Sequence, residues 1–280
     1  MSEKPRNLKL ANGQDEPTPT PTAGAKRRYI DPLDSDKRGL AGVLERLMRN
    51  FKTALHLILI TPIYAVVGLT LGAAAAPGIY LFEQMQAVAS TQTGPIHYIL
   101  QGAALAAGYF GYGFTLLFIV PAVNFVLRLN LKPWRGSYYS IETIRWYIHN
   151  GFTYLVRYTF LEFVTPTPFN ILFYKMMGMK IGRGTAINTT WISDPSLIEL
   201  GEKVTIGGSV HLVAHYGQGG YLVLAPVKIG DRVTIGLKAT VMGGVTIGAG
   251  AKVLPSSVVM PKTVIPEGET WGGVPARKID

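Results

Sequence analysis

Residues 229–276 read IGDRVT IGLKAT VMGGVT IGAGAK VLPSSV VMPKTV IPEGET WGGVPA, eight six-residue units without a gap. Seven of the eight open on Ile or Val, and Val, Ala or Thr commonly holds the fifth place. Upstream, LGEKVT from Leu200, IGGSVH from Ile206 and IGRGTA from Ile181 follow the same pattern. A period of six is too short for a helical repeat and too regular for a meander of hairpins. It describes a solenoid with flat sides: one aliphatic residue per side points to the axis, and small residues permit the corner. The spacing predicts a solenoid after Gly178.

The texture before that stretch is entirely different. Thr53 to Phe82 and Ile96 to Leu127 carry no formal charge. About 20 apolar residues suffice to cross a bilayer as a helix, so transmembrane helices are expected over about 53–82 and 96–127. Lys37, Arg38, Arg46, Arg49 and Lys52 precede the first run, Arg128, Lys132, Arg135 and Arg145 follow the second, and the connection Glu83 to Pro95 has no basic residue. The positive-inside rule then puts both termini and the β-helix on the cytoplasmic side of the inner membrane, as a multi-pass protein. Ala103, Ala107 and Gly111, and likewise Ala104 and Gly108, fall at four-residue spacing, which suits close helix packing. The fold class expected is membrane α plus all-β: two transmembrane helices and interfacial helices, then the solenoid, whose form as a left-handed parallel β-helix over residues 179–280 is what the family resemblance given below implies.

Three further segments complete the organisation. Residues 1–36 are polar, contain the run PTPTP at Pro17–Pro21, and are expected to be partly disordered. Residues 37–178 form the membrane anchor. Within it, residues 37–52 resemble a short amphipathic helix, and Trp134 to Met177 interleaves many aromatic rings with Arg135, Arg145 and Arg157. Such rings suit helices lying at the headgroup level, or packing under the C-terminal domain as ordinary core. His149, in this stretch, reads as a solvated or hydrogen-bonded histidine rather than a ligand.

The charge balance excludes some functions. The net charge is +10, yet residues 184–280 carry eight Lys/Arg against seven acids, so the basic excess flanks the apolar runs. A nucleic-acid binder would concentrate it on the folded domain; here it suits membrane lipids. There is no cysteine, which removes disulfides, thiolate metal sites and cysteine nucleophiles together.

The run PVKIGDRVTIGLKATVMGGVTIGAGAKVLPSSVV, followed by GGVPARKI, resembles the acetyltransferase branch of the hexapeptide-repeat transferases. Together with the preceding membrane helices, the segment also resembles the terminal region of certain membrane-bound peptide synthetase-like proteins. The resemblance covers about the last hundred residues. It implies a homotrimer with active sites between adjacent β-helices, and acyl-CoA, such as acetyl-CoA, as donor. No metal is expected.

Acyl transfer from a thioester needs a base for the acceptor's proton and a donor for the oxyanion. Histidine suits the first role. The repeat is interrupted at Leu212–Val227, LVAHYGQGGYLVLAPV. In the acetyltransferases a histidine stands just upstream of the loop before P-V-x-I-G, so the resemblance assigns the base to His215, with His211 as the second candidate. Either histidine could instead hydrogen-bond a backbone carbonyl. An orienting carboxylate is sought in Glu199 or Asp194, one coil earlier. Gly217, Gly219 and Gly220 are candidates for the oxyanion N–H, or they simply let the loop turn. For the donor, the resemblance points to Gly217, Gly236, Ala239, Gly243, Gly248, Ala251, Lys262, Arg277 and Lys278. The glycines and alanines also have a plain reading as corner residues.

Three other functions compete. A γ-class carbonic anhydrase shares the fold, but residues 179–280 hold only His211 and His215, so its three-histidine zinc site would need a substitute ligand. A non-catalytic trimeric scaffold predicts that His215 is dispensable. A carrier-thioester-dependent, amide-forming enzyme of the peptide synthetase-like type changes only the donor. Two spans that place the site at the cytoplasmic bilayer surface favour a membrane-associated acceptor, such as a lipid-linked saccharide.

Overall fold

The structure, a computed structural model, describes residues 35 and 37–279; the expectation for residues 1–36 lies almost wholly outside the described residues. Helix α1 (Gly39–Asn50) leads into α2 (Lys52–Ala89), and α3 (Gly94–Val126) returns beside it. Among the described residues these last two are long and apolar enough to cross a membrane, with mean hydropathy 2.1 over Leu57–Ala89 and 1.7 over Gly94–Val126. Both differ from the expected bounds. Glu83 lies inside α2, because EQMQAVA is made of good helix formers and nothing breaks the run before Ser90. Gly94 and Pro95 then start α3, proline being suited to the first turn.

The two long helices meet at glycines. A Cβ on Gly78 would lie 2.4 Å from the Gly108 carbonyl oxygen, and one on Gly111 would lie 3.1 Å from the Gly78 Cα. Gly108 and Gly111 belong to the small-residue pattern of the second run, while Gly78 on α2 supplies the opposing surface.

Beyond α3 come a strand (Trp134–Ser137), α4 (Ile141–Thr159), a 3-10 turn (Leu161–Val164) and α5 (Pro168–Met176). Of the two readings of this aromatic segment, packing under the C-terminal domain is the one adopted. Phe152, Val156, Phe160, Leu161, Phe173 and Tyr174 are buried in one core with Leu116, Leu117 and Val120 of α3 and with the first aliphatic rungs of the β-helix. Tyr147, Tyr158 and Phe163 remain exposed.

From Lys180 the chain winds as a three-sided parallel β-helix. The first face stacks Lys180–Ile181, Ile198–Leu200, Val227–Ile229, Thr246–Ile247 and Val264–Ile265. The second stacks Ala186–Ile187, Thr205–Ile206, Thr234–Ile235, Lys252–Val253 and Thr270–Gly273, closed by an antiparallel return, Ala276–Lys278. The third stacks Ile192–Ser193, His211–Val213, Thr240–Val241 and Val258–Val259. The aliphatic residue of each hexad, such as Ile206, Ile235 and Val253 on one face, is buried in the bore and stacks in register on its equivalent.

Candidate active site

The interruption of the repeat is a hairpin at the corner between the third and first faces. His215–Gln218 pairs antiparallel with Tyr221–Leu224, and Gly219 and Gly220, both at positive φ, make the two-residue turn. The hairpin's outer edge pairs with Trp134–Ser137, in register from Trp134↔Leu224 to Ser137↔Tyr221. The segment after α3 is thus woven into the same three-stranded sheet that carries His215.

His215 stands at the foot of this hairpin, and one coil below it on the same corner is Asp194. The His215 Nδ1 to Asp194 Oδ2 distance is 2.5 Å. Asp194 is fully buried in the left-handed conformation (φ 59, ψ 45), which aspartate tolerates better than most residues. Its second contact on Oδ2 is the Ala214 N–H, 3.0 Å away. Two donors from α4 fill Oδ1: Trp146 Nε1 at 2.8 Å and Asn150 Nδ2 at 2.7 Å. Asn150 also accepts the Asp194 backbone N–H at 3.0 Å, so one side chain holds both the carboxylate and its turn.

Burial alone would push the Asp194 carboxyl up. The hydrogen bond from His215, its charge whenever the ring is protonated, and the bonds from Asn150 and Trp146 outweigh it and hold the group below the usual carboxylate range. An ionised Asp194 makes Nδ1 the protonated nitrogen, which leaves Nε2 as the basic one. Trp146 also meets the imidazole edge to face, with ring centroids 5.0 Å apart.

The other expected site residues fall into three groups. Gly243 and Lys262 share the His215 corner. A Cβ on Gly243 would lie 2.9 Å from the His215 backbone nitrogen, and Lys262 donates its N–H to the Gly243 carbonyl one coil further on. Gly217 lies two residues along the strand from His215, where an added Cβ would lie 2.9 Å from the Tyr138 hydroxyl.

A second group is structural. Ala239 and Ala251 are fully buried in the bore and cannot touch a donor within the protomer. Gly236 and Gly248 face the next coil, where a Cβ would lie 2.5 Å from the Pro255 and Glu267 nitrogens. Gly219 and Gly220 form the hairpin tip, far along the strands from the imidazole.

The third group lies elsewhere. Glu199 is not the orienting carboxylate: it points outward from the first face and pairs with Lys180 at 3.3 Å. His211 projects from the third face and stacks on Trp191, with centroids 5.0 Å apart. Arg277 and Lys278 sit on the closing strand of the second face, across the triangle from His215, and Lys278 pairs with Glu269. Among the described residues no cluster of three His, Asp or Glu side chains is placed to hold a metal ion.

The residues that sequence reading missed are on α4. Trp146, Asn150, Tyr154 and Arg157 recur at helical spacing along one stripe. Tyr154 meets Ser193 at 2.9 Å, and Arg157 donates to the Ile192 carbonyl at 2.5 Å. That stripe caps the first coil of the β-helix.

No family model matches the chain. It is 30% identical over 148 residues to "Putative acetyltransferase YvoF" of Bacillus subtilis, a match covering 48% of this chain and 83% of that one. It is 29% identical over 157 residues to Delta-poly-L-ornithine synthetase of Acinetobacter baumannii, covering 56% of this chain but only 12% of the synthetase. Among solved structures, a hexapeptide-repeat acetyltransferase of Vibrio cholerae in complex with acetyl coenzyme A is 23% identical, with a TM-score of 0.43, over 55% of this chain and 96% of that one.

Proposed function

The chain belongs to the family of hexapeptide-repeat acetyltransferases with a left-handed β-helix, and from that premise we propose that it transfers an acetyl group from acetyl-CoA to a membrane-associated acceptor. The single observation that carries the reading is the His215–Asp194 pair: a histidine with Nδ1 committed to a buried carboxylate and its other nitrogen basic. In the proposed reaction Nε2 takes the proton from an acceptor hydroxyl or amine as that atom attacks the thioester carbonyl. The tetrahedral intermediate collapses to the acetylated acceptor, and the departing thiolate recovers the proton from the imidazolium. The Gly217 backbone N–H is the nearest of the proposed oxyanion donors by position in the strand.

Donor binding follows the same corner in this reading. The chain from His215 through Gly243 to Lys262 rises by one coil at each step, and Lys262 would meet the donor's phosphates. Arg277 and Lys278 reach a donor only on a neighbouring protomer, which is consistent with a homotrimer. In the anchored reading α2 and α3 hold the β-helix at the cytoplasmic surface of the inner membrane, and the acceptor is a lipid-linked saccharide or a similar membrane-bound molecule.

A second donor is favoured by one finding. The stretch similar to the ornithine synthetase is longer than the whole β-helix, so it takes in residues of the preceding helices. A carrier-bound thioester in place of acetyl-CoA fits that similarity. The test is calorimetric titration of acetyl-CoA into the detergent-purified protein, beside His215→Ala. Micromolar binding to both, with thioester turnover lost only in the variant, is expected. Absence of binding to either would remove acetyl-CoA as donor and leave the carrier-bound thioester.

A further inference from the structure

Helix α1 wears its amphipathicity inside out. Leu40, Val43, Leu47 and Phe51, spaced i, i+3, i+7 and i+11, form one stripe, and they are 90%, 52%, 42% and 63% exposed. The charged side faces the protein. Glu45 is 2% exposed and accepts from Ser35 at 2.5 Å, from Arg49 at 3.4 Å and from the Ile141 backbone N–H, the first residue of α4, at 3.2 Å. Lys37 joins the same cluster, 3.2 Å from Glu45 and 2.5 Å from Glu142. A helix that gives its ions to the protein and its leucines to the outside is built for a non-aqueous neighbour.

We propose that the Leu40–Phe51 stripe of α1 lies in the headgroup–acyl boundary of the bilayer, parallel to its surface, as a second membrane contact beside the two long helices. Two observations choose lipid over another occupant. The stripe ends on Phe51, and the next residue begins α2, so the surface is continuous with the proposed membrane segment. The exposed cations Arg38 and Arg46 flank it, placed for lipid phosphates. The proposal rests on the anchored reading and adds that the contact is made by a helix clamped to the start of α4. That is the helix whose Trp146 and Asn150 hold the Asp194 carboxylate.

The chain has no cysteine, so single nitroxide labels can be placed without altering a native residue of that kind. Full-length Val43→Cys, Leu47→Cys and Arg46→Cys proteins are spin-labelled, reconstituted into phosphatidylglycerol–phosphatidylcholine vesicles, and compared by power saturation with oxygen and with a water-soluble nickel chelate. Leu105→Cys, on the exposed side of α3, reports the anchor itself. The labels at 43 and 47 are expected to collide mainly with oxygen and the label at 46 mainly with nickel. Nickel-dominated collisions at 43 and 47, with oxygen dominating at 105, would overturn this proposal and leave the anchored reading standing. Nickel dominance at 105 as well would overturn both. Exclusion of both reagents at 43 and 47, with dipolar broadening, would assign the stripe to a second copy of the chain instead.

Discussion

At Asp194 four donors converge on two oxygens, and only two of them belong to the β-helix. The break in the repeat drew attention to the segment holding His211 and His215, and the resemblance to the acetyltransferases chose His215 between them. Its carboxylate was legible only as one of two acids a coil earlier: Glu199 and Asp194 are alike in sequence, and what separates them is that Asp194 occupies a corner and Glu199 an outward strand position. Asn150 was not legible at all, since nothing about an asparagine on an aromatic-rich helix names a partner 44 residues on. Partners that orient a metal-bound histidine through its carboxylate typically contribute about a 10- to 100-fold effect, and Asn150 holds the His215 carboxylate in the same manner. Asn150→Ala is therefore expected to lower kcat by roughly that factor with the donor's Kd unchanged, and to move the acidic limb of the pH–rate profile. Trp146→Phe, which keeps the ring edge on His215 but removes the N–H, is expected to fall between wild type and Asn150→Ala in stopped thioester assays.

For whole elements, periodicity carried the fold. Seven of the eight hexads quoted from residues 229–276 map onto a strand and a corner, because the aliphatic residue and the small residue each answer a packing requirement that recurs once per side; the eighth, WGGVPA, turns back into the antiparallel closing strand. Where the requirement is not periodic, the element was hidden. The pairing of Trp134–Ser137 with the hairpin joins residues almost ninety positions apart and has no local signature. The same packing logic explains why small residues in a coil are poor evidence of a ligand. At Gly236 the neighbour of an added Cβ is backbone, 2.5 Å away, and backbone cannot swing aside. Gly236→Ala is expected to destabilise the β-helix by about 1–3 kcal/mol. The expected result in thermal melts is a lowered Tm, with acetyl-CoA affinity at saturating protein unchanged. A loss of donor binding without a loss of stability would instead mark Gly236 as a contact residue.

Across the whole molecule, the seam between the helices and the β-helix is where the stability depends on acid. His149 on α4 is completely buried, with Nδ1 2.8 Å from Asn124 Oδ1 near the end of α3. Burial pushes it down to about 4, against a smaller opposing effect of the Asp194 charge. Unfolded, the ring takes a proton near 6.5, whereas folded it resists until about 4. The neutral form therefore favours folding fully above about pH 6.5, and that contribution is lost as pH falls toward 4. It amounts to about 3 kcal/mol at about 1.4 kcal/mol per pH unit. Tm measured from about pH 7 to 4 is expected to fall steeply in the wild type and to flatten over this window in His149→Gln. Sequence reading drew the domain boundary at residue 178, where the repeat begins. Contacts run across that line, for α4 supplies half the donors of a carboxylate that the repeat alone leaves incomplete. Anyone exchanging catalytic heads between such proteins inherits that entanglement: a chimera spliced at the first hexad transplants a histidine without its support, and the productive junction lies upstream of Trp134.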